Sequence, residues 1–268
     1  MSDEKSKATL LKEEIMMKGS KGAATLNAEE IKKADDFCVG YKKFLDHSPV
    51  EREAVSYTLE LAKKAGFTEY DENASYNAGD KVYYVNRDKA IALAVIGKNG
   101  VKNGARLAIA HIDSPRIDLK PNPLYEDTNL ALFKTHYYGG LKKYQWTALP
   151  LSLHGTVVKL DGTKVNITWG DDENESCFCV TDLLPHLAKD QVSKPLAKVF
   201  TGEDLNVLVG SRPYEDGNDE KDLVKLNVMS ILNKKYGIVE GDFLSAELCL
   251  IPSFKARDIG FDASMIGG

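Results

Sequence analysis

Five histidines stand in this sequence, at positions 47, 111, 136, 154 and 186. His111 has the setting best suited to metal chemistry. It opens His111-Ile112-Asp113 directly after an apolar segment, residues 106–110, that reads as a buried strand. Open α/β sheets bind their ligands just beyond the carboxyl ends of strands. A neutral imidazole ligates zinc, cobalt or manganese, and a carboxylate two residues on can hold the ring in orientation. The same three residues could also form a polar strand end with a capping aspartate, so spacing alone leaves both readings open.

The other candidates are weaker. His47 reads as a surface residue, His136 and His154 as structural ones, and His186, after Pro185, stays ambiguous. The four cysteines, at 38, 177, 179 and 249, include no C-x-x-C pair. Cys177 and Cys179 would share one face of a strand and read as a small buried pair rather than half a metal site. No nucleophile elbow, P-loop, dinucleotide fingerprint or H-E-x-x-H is present.

Composition narrows the class of protein. Of 268 residues, 43% are hydrophobic and 28% charged, which is ordinary for a globular chain and excludes wholesale disorder. Lys and Arg (35) are interspersed with Asp and Glu (40) for a net charge of −5, so no basic footprint for nucleic acid is expected. The longest apolar run, residues 90–97, is far short of the ~20 residues of a membrane helix. The charged first 18 residues carry no apolar signal core. With so few cysteines, the expected location is the cytoplasm.

The elements that would position these residues follow from local signals. Residues 1–26 read as a loosely held leader. Asn27 and Glu30 form a capping box ahead of apolar residues at three- and four-residue spacing from Ile31 to Leu45. Ser48-Pro49-Val50-Glu51 predicts a second capped helix reaching Ala65, with Gly66 as its stop. Strands are predicted at 81–86, 90–96 and 106–110, the last two apolar on both faces as central strands are. After Pro115 the texture changes. Residues 116–150 hold prolines and clustered aromatics without a period, and 151–169 predict a hairpin about Asp161-Gly162. Residues 178–187 suit a strand or a short helix. Residues 189–221, broken by Pro195, Gly202, Gly210, Pro213 and Gly217, read as a long insertion or flap. Residues 223–236 predict a helix stopped by Gly237, and 243–251 a strand returning to the first domain. Helices followed by doubly buried strands predict an α/β layered domain.

Four segments then carry a resemblance: Leu107-Ala-Ile-Ala-His-Ile-Asp-Ser-Pro-Arg116, Leu119-Lys-Pro-Asn-Pro123, Tyr138-Gly-Gly140 and Ala256-Arg-Asp-Ile-Gly-Phe-Asp-Ala-Ser-Met-Ile-Gly267. In this order they resemble the M18 metalloaminopeptidases, nearest a bacterial, clostridial-type branch. The resemblance implies a zinc-peptidase-like α/β sandwich, partial here, with an inserted β-rich dimerisation domain. It implies a leader at 1–26, the first part of the peptidase domain at 27–115, the insertion at 116–242 and a return at 243–268 that is cut short. The implied activity is removal of N-terminal residues from peptides with two metal ions. The resemblance makes His111 a metal ligand, Asp113 its supporting aspartate, and His186 a residue reaching into a partner subunit's active site. It also implies self-association, as a dimer or larger and up to a dodecamer, through 116–242. There the aromatics Tyr125, Phe133, Tyr137, Tyr138, Tyr144 and Trp146 are of the types enriched at interfaces. The family continues past a segment like Ser264-Met-Ile-Gly267 into a Tyr-Gly-Gln-Asp-Asp-like stretch with further ligands and a glutamate base. This sequence does not. The chain is therefore expected to be catalytically silent alone, as a fragment, a truncated product or one half of a split enzyme. The alternative is an inactive assembly protein retaining the dimerisation domain. Residues 90–96 and 106–110 are expected to expose apolar faces for want of sheet neighbours.

Overall fold

The computed structural model describes residues 5–17, 19, 22–215 and 221–268, so Gly217 and part of the leader lie outside the described residues. Two compact units result, Met1–Lys43 and Phe44–Gly268. In the first, α1 (Lys7–Ile15) forms within the leader, its first turn capped by Ser6 Oγ accepting from the Thr9 amide at 3.2 Å. The capping box forms at the start of α2 (Ala28–His47): the Glu30 amide donates to Asn27 Oδ1 at 3.0 Å and the Asn27 amide to Glu30 Oε2 at 2.9 Å.

In the second unit, α3 (Glu51–Lys64) starts later than the capping signal indicates. Val50 is extended and caps only through its carbonyl, which accepts from the Ala54 amide at 2.9 Å. Ser48 Oγ is buried without a hydrogen-bond partner, so neither it nor Pro49 takes its predicted place. Gly66, at φ 84°, stops the helix as expected. The helix packs on a small sheet of β1 (Thr68–Glu69), β2 (Lys81–Asn86) and β3 (Ala90–Val95), in that order. β2 and β3 pair antiparallel across the left-handed Arg87-Asp88 turn.

Two of the predicted strands are not doubly buried and instead expose apolar faces, as the expected want of sheet neighbours implied. β3 pairs with β2 alone among the described residues and is largely exposed rather than doubly buried. Residues 106–110 form no strand, and Leu107 and Ile109 stand 79% and 89% exposed. An apolar run measures a demand for burial, which one neighbouring strand leaves largely unmet at 90–95 and which no strand meets at 106–110.

The larger sheet comprises β4 (Arg116–Asp127), β5 (Leu130–Tyr138), β6 (Leu151–Val158), β7 (Lys164–Trp169), β8 (Cys179–Val180), β9 (Val207–Gly210) and β10 (Ala246–Pro252). Its order is β7-β6-β10-β4-β5-β9-β8, antiparallel throughout. The β6–β7 hairpin turns about Asp161-Gly162 as predicted. The β4–β5 hairpin has no sequence counterpart, because a register shift between Leu119 and Leu124 spans Pro121 and Pro123 and breaks the two-residue period. The 189–221 stretch is not wholly a flap. It holds the four-residue helix α4 (Lys189–Val192), and β9 lies between β5 and β8 with Leu205 and Val207 fully buried. The ladder also carries this sheet on to Pro252, past the expected boundary at 242/243, because β10 lies between β6 and β4.

Helix α5 (Leu223–Tyr236), stopped by left-handed Gly237, packs on β4, β5 and β9. The core gathers Ile117, Phe133, Leu151, Leu153, Ile167 and Leu250. Phe133 is thus core rather than surface, at 1% exposure, and Tyr137 and Trp146 pack against the same cluster. Gly155, at φ 139°, is required where β6 meets β10: a Cβ there would lie 1.9 Å from the Glu247 carbonyl oxygen. Cys177 is exposed and Cys179 half-buried, not the buried pair expected. A short hairpin of β11 (Arg257–Ile259) and β12 (Met265–Gly267) follows. Among the described residues no helix is long and apolar enough to cross a membrane.

Candidate active site

His111 and Asp113 lie on the irregular segment between β3 and β4, and the structure brings them together. His111 Nδ1 is 3.0 Å from the Asp113 carbonyl oxygen and 3.4 Å from Asp113 Oδ1. Both neighbours are acceptors, an arrangement that suits a ring with its proton on Nδ1 and the Nε2 lone pair directed away. The Tyr138 hydroxyl, at the end of β5, donates to Asp113 Oδ2 at 2.8 Å. That bond, ahead of the residue's own backbone, holds the Asp113 carboxyl below the usual carboxylate range.

Behind Tyr138 stands Arg116, its guanidinium 4.2 Å from the ring centroid. Arg116 Nε donates to Asp118 Oδ1 at 2.7 Å, and Arg116 Nη1 lies 3.0 Å from Glu51 Oε1 in the first turn of α3. Gly139 takes the left-handed conformation at φ 77°, and a Cβ there would meet Pro115 in ordinary contact at 3.5 Å. Sequence reasoning used Tyr138 as part of a motif and as one of the clustered interface aromatics, and gave Arg116 and Glu51 no role beside it. The period-two pattern that would have put Arg116 and Tyr138 on paired strands is interrupted by the β4 bulge.

His186 is exposed beyond β8, between the exposed Leu184 and Leu187. Its segment is tied by Asp182, whose Oδ1 accepts from the Leu183 amide at 2.7 Å and Gln191 Nε2 at 3.0 Å. No hydrogen bond or ion pair links His186 to His111 or Asp113 among the described residues. His136 is exposed and stacks on Tyr137, and His47 stacks on Tyr57.

His154 is structural, but in a way its sequence position did not reveal. At 1% exposure it lies between two carboxylates: Nδ1 is 3.0 Å from Glu53 Oε1 and Nε2 3.1 Å from Asp171 Oδ1, with Ser152 Oγ 3.0 Å from Nε2. Burial opposes its charge, but the bonds to Asp171 and Glu53 prevail and raise its pKa to about 9. The signal was the second face of β6, where Ser152, His154 and Thr156 alternate with core leucines and valines and are buried all the same. A cleft of about 460 Å³ adjoins Arg52, Glu53, Lys89, Arg116 and Glu247, and neither His111 nor Asp113 lines it.

A metal ion asks more than His111 and Asp113 offer. Among the described residues no three His, Cys, Asp or Glu side chains converge to hold one. A catalytic zinc usually takes three protein ligands, so the residues present do not by themselves fit such a centre.

Residues 44–268 match the family described as aminopeptidase I zinc metalloprotease (M18). The chain belongs to the M18 family. The probable M18 family aminopeptidase 1 of Clostridium acetobutylicum is 51% identical over 232 residues, covering 85% of this chain and 50% of that protein. The crystal structure of the M18 aminopeptidase from Thermotoga maritima superposes with a TM-score of 0.86 at 41% identity, covering 93% of this chain and 54% of that one. Aminopeptidase I from Borrelia burgdorferi gives a TM-score of 0.79 at 40% identity, covering 90% and 55%. The chain therefore has a partial M18 α/β peptidase fold and spans about half the length of the curated relatives it matches.

Proposed function

We propose that this chain contributes the first metal ligand, His111, and the dimerisation sheet of an M18 metalloaminopeptidase that removes N-terminal residues from peptides using two zinc ions. Cobalt or manganese would also suit an imidazole–carboxylate site. The observation that carries this reading is the fixed imidazole at 111, whose Nδ1 faces the Asp113 carbonyl at 3.0 Å and whose Nε2 is left free as a ligand atom. Asp113 supports the ring. Residues 27–115 open the peptidase domain, and the inserted domain from residue 116 self-associates and presents His186 to a partner subunit. The remaining ligands would come from polypeptide corresponding to the other half of the relatives' length, and the chain alone is catalytically silent.

A second reading has its own support. Because no three-ligand cluster forms among the described residues, the chain would also serve as an inactive assembly protein retaining the larger sheet. Co-expression with the C-terminal half of the Clostridium acetobutylicum relative separates the two. The enzyme reading expects zinc retained through dialysis and release of N-terminal residues, both lost with His111→Ala. Soluble co-assembly with neither zinc nor turnover would overturn it in favour of the assembly protein. Turnover by the chain alone, abolished by His111→Ala, would show that the silence is wrong.

A further inference from the structure

Asp113 uses its two carboxylate oxygens for different neighbours: Oδ2 accepts from the Tyr138 hydroxyl at 2.8 Å, and Oδ1 faces His111 Nδ1 at 3.4 Å. The segment that carries Asp113 has no strand ladder of its own, since residues 104–115 form neither helix nor strand. Its other anchor is Pro115, seated against Gly139, the residue after Tyr138. The end of β5 thus holds the segment through one hydrogen bond and one ordinary packing contact. Tyr138 is itself held, because Arg116 covers its ring at 4.2 Å and is anchored by its hydrogen bond to Asp118, with Glu51 beside it as an ion-pair partner only.

We infer that Tyr138 is a positioning residue that acts through Asp113 to hold His111 in its Nδ1–H form with Nε2 free. The value of this arrangement to catalysis rests on the aminopeptidase reading above; the arrangement itself does not. A hydroxyl bonded to a carboxylate is a charge-assisted contact, stronger than a neutral one. Without it the Asp113 carboxylate and carbonyl lose their fixed place beside the ring, and the imidazole tautomer is set by water.

The test uses the chain as it stands, labelled with ¹⁵N-histidine, with long-range proton–nitrogen spectra recorded at about pH 8.5, where an ordinary imidazole is neutral. His111 signals are assigned by their loss in His111→Ala. The wild-type ring should be mainly Nδ1–H. Tyr138→Phe keeps the ring beneath Arg116 and removes only the hydroxyl. It should lower the Nδ1–H to Nε2–H ratio at His111 about fivefold, the factor carried by one net hydrogen bond, while His136 signals stay in place. Asp113→Ala should give a similar fall. The double variant should fall no further, because two residues acting in series are not additive. An unchanged ratio in Tyr138→Phe, or full additivity in the double variant, would overturn the inference. A general loss of packing would move His136 as well and would equally count against it. These spectra report on the chain whether or not it ever contributes to hydrolysis, so failure of the aminopeptidase reading would show separately, as absent turnover in the co-expressed assembly.

Discussion

His154 and Glu53, 101 residues apart in sequence, meet at 3.0 Å and tie the first turn of α3 to the middle of β6. Asp171 closes the other side of the ring at 3.1 Å. The pairing makes the stability of this unit depend on pH in a direction that can be worked out. The folded-state pKa, about 9, lies above the unfolded value of about 6.5. Protonation therefore favours the fold. The stabilisation is fully present below about pH 6.5 and is lost as pH rises through about 9. Urea midpoints measured from pH 6 to pH 10 should fall across that window, and His154→Gln should flatten the fall. Its removal leaves Glu53 and Asp171 without their shared cation, at a cost of roughly 3 kcal/mol. A wild-type curve flat between pH 7 and pH 10 would contradict the assignment.

Gly155→Ala should be among the most damaging single changes in the larger sheet. The added Cβ would lie 1.9 Å from the Glu247 carbonyl oxygen, at a φ of 139° that L-residues rarely adopt. Neither strand can retreat without breaking the β6–β10 ladder, so a loss of roughly 3 kcal/mol or more is expected. Denaturant unfolding measures it, with Gly241→Ala, where a Cβ meets nothing within 4 Å, as the control.

Replacing Leu107 and Ile109 together by Ser should raise the soluble fraction without lowering the unfolding midpoint. Both side chains are almost wholly exposed, so their removal costs the folded chain no buried contact, while adjacent exposed apolar groups favour association. A clear fall in the midpoint would mean that the segment is buried in solution.

The chain should sediment as a dimer or larger assembly at micromolar concentration. Of the clustered aromatics, Phe133 belongs to the core, so the contact is expected to use the exposed Tyr138 and half-buried members such as Tyr144. Tyr144→Ser should weaken association more than stability. A strictly monomeric profile would refute the interface.

In a co-expressed, active assembly, His186→Ala should lower the rate by about 10²–10³, the usual effect of losing one donor to a developing oxyanion. Mixed assemblies that unite an intact His111 in one subunit with an intact His186 in another should recover part of it. A rate unaffected by His186→Ala would remove the residue from the site.

What the sequence alone determined is what neighbours along the chain can decide. The Asn27–Glu30 box, the Asp161-Gly162 hairpin, the strand at 81–86 and the helix at 223–236 with its Gly237 stop are set by bonds and dihedral preferences within a few residues. His111 and Asp113 were legible as a neighbouring pair for the same reason, being two residues apart. Tertiary structure decided the rest. It placed β10 between β6 and β4, because a strand's partners are chosen by the whole sheet and leave no mark in its own alternation. It set β4 against β5 across a bulge that hides the pattern from any periodic reading. It left residues 90–95 and 106–110 largely uncovered, since an apolar run states only that burial is favourable. It made His154 a charged lock and Tyr138 a partner of Asp113 by closing separations of 101 and 25 residues. A side chain's charge and role depend on what surrounds it in space, and local sequence carries no record of those distances.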